Sequence, residues 1–123
     1  MIENGNDTPQ LLGNLREIAG DDWDFIREIV DLFLRETPRK VEDLGAAIEH
    51  GDVPGVVDVA HSLKGSALAV DAEVLRDLSE AIEHTARGGS LAGAAGRYSK
   101  LRLELQRIRP IFEELACPGS SPT

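Results

Sequence analysis

The sequence predicts an all-α fold: an antiparallel up-down four-helix bundle preceded by a short extra N-terminal helix. Three observations carry that expectation. Apolar residues recur at steps of three and four along almost the whole chain, and no segment alternates as a strand does. The breaks between the periodic stretches are short turns, which make successive helices antiparallel neighbours. The chain has 123 residues, enough for one domain with a single core and too few for two. Aromatic residues make up 4% of it, so that core has to be packed with Leu, Ile, Val and Ala.

Residues 1–8 and 117–123 are polar or rich in Pro, Ser and Gly and read as flexible tails, leaving 9–116 for the bundle. The short first helix is expected over Pro9 to Ile18, with Thr8 as N-cap, Pro9 at the first helical position and Gly20 as its stop. Asp21 or Asp22 caps the second helix. Its stripe is Ile26, Ile29, Val30, Phe33, Leu34, Thr37, Val41, Leu44 and Ile48. The stripe keeps its phase across Pro38, which favours one kinked helix over two collinear pieces.

His50-Gly51-Asp52 closes that segment. Asp52 can cap the third long stretch, in which Val53, Val56, Val57, Ala60, Leu63, Ala67 and Val70 share a face. Asp71 reads as a turn residue and N-cap. The next helix is expected to bury Val74, Leu75, Leu78, Ala81, Ile82 and Thr85 and to stop at Arg87-Gly88-Gly89. Ser90 then caps a last helix with Leu91, Ala94, Ala95, Tyr98, Leu101, Leu105, Ile108, Phe112 and Leu115 in register, kinked near its end by Pro110.

Composition removes several function classes. The net charge of −9, from 22 acidic and 13 basic residues, repels a phosphate backbone, so nucleic acid is not an expected ligand. No run of about 18 apolar residues marks a membrane span, and the N-terminus lacks a signal-peptide layout. Cys117 is the single cysteine, so neither a disulfide nor a multi-cysteine metal site is available. A cytoplasmic, monomeric protein is the expectation; Met1 and the flexible C-terminal tail suit a free-standing protein, and a piece of a longer one would look the same.

The chemistry is concentrated in Ala60-His61-Ser62-Leu63-Lys64-Gly65-Ser66-Ala67. Each helical residue advances about 100°, which points His61 roughly 120° away from the stripe centred on Ala60, Ala67 and Val56. Gly65 and Ala69 follow one and two turns later on the same side, so the face beside the imidazole carries small residues. A mid-helix glycine costs about 1 kcal/mol relative to alanine, and room for a tetrahedral phosphoryl group on His61 is a reason to bear that cost. Lys64 can bring a positive charge to such a group. Ser66 is a weaker donor candidate because of its angle.

With a hairpin turn centred near Asp71-Ala72, His61 lies level with Ile82 and Glu83. Glu83, or Glu80 one turn earlier, can then accept a hydrogen bond from the ring and fix its tautomer. His50 reads as a helix-end residue and His84 as a solvated one. No metal site is expected, since Lys64 would repel a cation held by His61, His84, Glu80 and Glu83.

The eight residues from Ala60 to Ala67 resemble the signature of histidine phosphotransfer (HPt) domains, a histidine followed by x-Leu-Lys-Gly and small residues. The likeness extends over about 100 residues, through Asp22-Trp23-Asp24-Phe25 to Leu34, Gly51-Asp52, and Leu75 through Ile82-Glu83 to Ala86-Arg87-Gly88. The resemblance implies a phosphorylatable His61 supported by Lys64 and Gly65. In the chemotaxis-kinase branch of that family a glutamate of the next helix bonds the histidine, and Glu83 has the matching spacing, with Glu80 beside it.

The resemblance further implies a phosphocarrier without an ATP site or cofactor of its own, and without enzymatic turnover. Its partners are then response-regulator receiver domains, which supply the aspartate and Mg2+, and a hybrid histidine kinase. Asp58, Leu68 and Ala69 are expected to rim a small, transient contact around His61. A phosphorylation-independent helical module that docks on a regulator is the alternative. One departure stands out: many family members have Asn-Val-Gly or a similar stretch where this chain reads Ala69-Val70-Asp71, which bears on the turn's geometry more than on the chemistry.

Overall fold

The computed structural model describes residues 13–116. Five helices follow one another: α1 Gly13–Ala19, α2 Trp23–Glu49, α3 Val53–Ala69, α4 Glu73–Arg87 and α5 Ala94–Ala116. α3 packs most extensively on α4, α2 lies against both α3 and α5, and α5 closes on α4, so the four long helices form a closed ring with α1 leaning on α2. This is the expected bundle. Thr8, Pro9 and the two tails lie outside the described residues.

The helix boundaries follow from local chemistry. Gly20 adopts a φ of +63° and donates its N–H to the Arg16 carbonyl at 2.8 Å, ending α1 as a left-handed C-terminal residue does. Asp22 then accepts from Phe25 N–H at 3.1 Å and starts α2. That helix runs 27 residues without interruption through Pro38. Ile26, Val30, Phe33, Thr37, Val41 and Leu44 form its buried line, while Ile29, Leu34 and Ile48 are half-buried. At its end His50 Nδ1 lies 2.7 Å from the Ala46 carbonyl, as suits a helix C-terminus. Asp52 accepts from Gly55 N–H at 3.1 Å and opens α3.

Three expectations are corrected. Asp71 belongs to the α3–α4 turn, but its own φ is +59° and Ala72 takes the N-cap position without a side-chain bond. The backbone there asks for a left-handed residue, which Asp tolerates better than most. The turn therefore survives the departure in residue type noted above.

In α4 the buried line is Leu75, Ser79, Ile82, Glu83 and Ala86, whereas Val74 is 49% exposed and Leu78, Ala81 and Thr85 are half-buried. The helix is rotated toward its polar side because α3 offers that side charged partners. Ser90, finally, accepts from Ala92 N–H at 3.0 Å within a turn. α5 starts only at Ala94, after Gly93 at φ +75°, so Leu91 precedes the helix and Ala95 is exposed.

The core is aliphatic with one aromatic pair. Phe33 and Phe112 meet edge-on, with centroids 5.1 Å apart and planes at 65°, tying α2 to α5. Val56, Leu63, Leu75, Ile82, Leu101 and Ile108 are fully buried around them, each stabilising the fold by about 1.5–3 kcal/mol relative to exposure. Among the described residues no helix is long and apolar enough to cross a membrane.

Candidate functional site

α3 keeps Val56, Ala60, Leu63 and Ala67 in the core. The same helical turn of angle that buries Ala60 sends its neighbour His61 outward, and the imidazole side chain is 61% exposed. Its Nδ1 lies 3.0 Å from Glu83 Oε2 on α4. Of the two glutamates that the hairpin register allowed, Glu83 makes the contact. Glu80 faces solvent and makes no hydrogen bond to His61.

Glu83 is the centre of the arrangement. Its side chain is only 6% exposed, and three basic groups converge on it. Arg87, one turn further along α4, donates from Nε at 3.0 Å and from Nη2 at 2.8 Å to Oε2. Lys64 Nζ stands 3.2 Å from Oε1, an ion pair that is not aligned as a hydrogen bond, and Oε1 has no aligned donor among the described residues. Burial by itself pushes this carboxyl up. Arg87, Lys64 and His61 together outweigh burial and bring it from the ordinary 4.5 down to about 2.

A carboxylate so held only accepts hydrogen bonds. The proton of a neutral His61 is therefore on Nδ1, which donates to Glu83, and the lone pair is on Nε2. The two cations take different oxygens: Arg87 donates two bonds to Oε2, while Lys64 forms an ion pair with Oε1.

Gly65, on the exposed side of α3, would give an added Cβ nothing within 4 Å, so the space beside the imidazole is open as expected. Asp58, Leu68 and Ala69 are all exposed on the same helix. Ser66 is corrected: its Oγ accepts from Lys40 of α2 at 2.8 Å, which turns it toward α2 and away from the ring. His84 is exposed.

Sequence reasoning treated Arg87 as a helix end, although its i,i+4 spacing from Glu83 was a usable signal. Lys40, 26 residues from its partner, gave none.

The sequence model described as Hpt domain matches residues 28–110, about two thirds of the chain. The chain belongs to the Hpt domain family. Over 71 residues this Hpt domain is 34% identical to the virulence sensor protein BvgS of Bordetella bronchiseptica and, equally, to that of Bordetella parapertussis. Those matches take in 58% of this chain and 6% of each relative. Among solved structures, the histidine-containing phosphotransfer protein B (HptB) of Pseudomonas aeruginosa PAO1 superposes with a TM-score of 0.75 at 26% identity. That match covers 85% of this chain and 88% of HptB. The Hpt domain is thus a histidine phosphotransfer module of phosphorelays.

Proposed function

We propose that His61 is the phosphoryl-carrying residue of this domain and that it exchanges the group with the aspartates of response-regulator receiver domains. The observation that carries this reading is the open imidazole with Nδ1 tied to Glu83. In the forward step the Nε2 lone pair attacks the phosphorus of a receiver aspartyl phosphate. The P–N bond forms, the P–O bond to the aspartate breaks, and the carboxylate leaves with the electron pair. The ring becomes positive on transfer while keeping its Nδ1 proton, and the adjacent Glu83 carboxylate stabilises that charge.

Lys64 swings from Glu83 Oε1 to the phosphoryl oxygens, and Arg87 remains to keep Glu83 ionised. The reverse step returns the group to another receiver. Mg2+ belongs to the receiver in this scheme, and the Hpt domain brings no cofactor or ATP site. Asp58, Leu68 and Ala69 rim the contact and Gly65 lies beneath it. A hybrid histidine kinase is the upstream donor, and the domain acts in the cytoplasm as a monomer.

The test is transfer from phosphorylated receiver domains of the source organism to wild type and to His61→Gln. Wild type should gain acid-labile, base-stable phosphate and His61→Gln none. Equal labelling of the two, or no labelling of wild type by any receiver, would remove His61 from the role and favour a docking module that works without phosphate.

A further inference from the structure

The α4–α5 side of the bundle carries an open groove of about 480 Å3. Val74 and Leu78 of α4 and Leu103 of α5 form its floor, and Asp77, Lys100, Glu104 and Arg107 stand along its rims. Val74 is 49% exposed and Leu103 64%. Three apolar side chains gathered in one furrow cost free energy in water that a covering chain would recover. Leu78 comes five residues before Glu83, roughly 140° around the helix, so the groove opens on a different face from His61.

Two features of the chain bear on what covers it. The first is where α1 begins. A Cβ on Gly13 would stand 3.2 Å from Asp71 Oδ2, which sets the start of α1 against the α3–α4 turn. Val74 follows Asp71 by three residues, so the chain before Gly13 starts beside the upper end of the groove. Leu11 and Leu12 directly precede Gly13. From Arg107 to Lys100 the groove follows seven residues of α5, about 10.5 Å. Six residues of extended chain span up to about 20 Å, which brings Asp7 within reach of Lys100.

The second feature is charge. Asp77 accepts from Arg76 at 2.8 Å and Glu104 from Arg107 at 2.7 Å, whereas Lys100 forms no ion pair among the described residues. Residues 1–12 contain Glu3 and Asp7 and no Lys or Arg. The stretch after Ala116, in contrast, has no acidic side chain and no Leu, Ile, Val or Phe.

We propose that the segment before Gly13 docks in the α4–α5 groove, with Leu11 and Leu12 on Val74, Leu78 and Leu103 and with Asp7 at Lys100. It is a built-in cover that keeps this apolar face from recruiting another surface. Because the groove and the imidazole lie on different faces, the cover leaves His61 open, and it does not depend on the reading of His61 given above.

The full chain carrying Cys117→Ser and Asp77→Cys is spin-labelled at the introduced thiol on the groove's rim, and backbone amide NMR signals are recorded. Those of Leu11 and Leu12 should broaden strongly and those of Ser120 and Ser121 should not. Adding Leu103→Asp should weaken docking about tenfold, the factor carried by one buried leucine contact, and relieve most of the broadening. Leu32→Asp, at a leucine of α2 that is 42% exposed, should leave it unchanged.

Broadening of the C-terminal signals instead, or of none, overturns the proposal. So does broadening that persists when spin-labelled chains are mixed with isotope-labelled chains lacking the spin label, since a second copy would then fill the groove. An equal effect of Leu32→Asp and Leu103→Asp overturns it as well. Labelling of His61 by phosphoramidate, a small donor that needs no docking partner, should be the same in wild type and Leu103→Asp. A difference would mean that the cover reaches the ring, against the proposal.

Discussion

Gly45 and Gly65 are both mid-helix glycines, and each weakens its helix by about 1 kcal/mol relative to alanine. The fold has a use for the first. A Cβ at Gly45 would meet the Tyr98 ring at Cζ, 2.6 Å away, and its hydroxyl oxygen even more closely; the missing side chain lets α5 lay that ring on α2. The second has no such use, since a Cβ at Gly65 meets nothing within 4 Å. One gap is filled by the protein's own chain and the other is left beside an exposed nucleophile.

The largest expected effect probes the open gap. Gly65→Leu should lower transfer to and from a receiver about ten- to a hundredfold, the factor that 1–3 kcal/mol of overpacking represents at a docked contact. Labelling by phosphoramidate should persist and the melting temperature should not fall. Normal transfer by this variant would erase the distinction between the two glycines.

Gly45→Ala should destabilise the fold by about 1–3 kcal/mol in urea titrations, with transfer per folded molecule unchanged. The closed side is then a matter of stability alone.

Acid titration addresses the charged floor next to the gap. The Glu83 carboxyl lies lower in the folded protein, at about 2, than its ordinary 4.5, so the folded state favours its ionised form. That contribution is complete above about pH 4.5 and is lost as pH falls toward about 2. Wild type should therefore lose stability relative to Glu83→Gln across that window in thermal melts at stepped pH. A constant difference between the two would show that the three basic groups do not hold the carboxylate.

The smallest effect has the opposite sign to Gly45→Ala. Gly65→Ala should stabilise the fold by about 0.5–1 kcal/mol through helix propensity alone, read as a raised urea midpoint. Destabilisation would mean that the gap serves internal packing after all.

Much of this was legible in the chain. The caps at Asp22 and Asp52, the stops at Gly20 and Gly51 and the outward direction of His61 all follow from local rules that tertiary packing did not override. The phase of α4 was not. Counting apolar residues drew the expected buried face toward Val74, while the actual one contains Ser79 and Glu83. A buried carboxylate breaks the rule that polar residues face water, and it is stable here only because Lys64, His61 and Arg87 converge on it. The Lys40–Ser66 bond depends on the register between α2 and α3, which a single sequence does not encode in its spacing.

The 61% exposure of the His61 side chain also bears on time. On the assignment made above, water reaches the phosphorylated ring as freely as a receiver does, with no lid among the described residues to delay hydrolysis. How long a message lasts is then decided by the intrinsic lability of the phosphoramidate and by how soon the next receiver arrives.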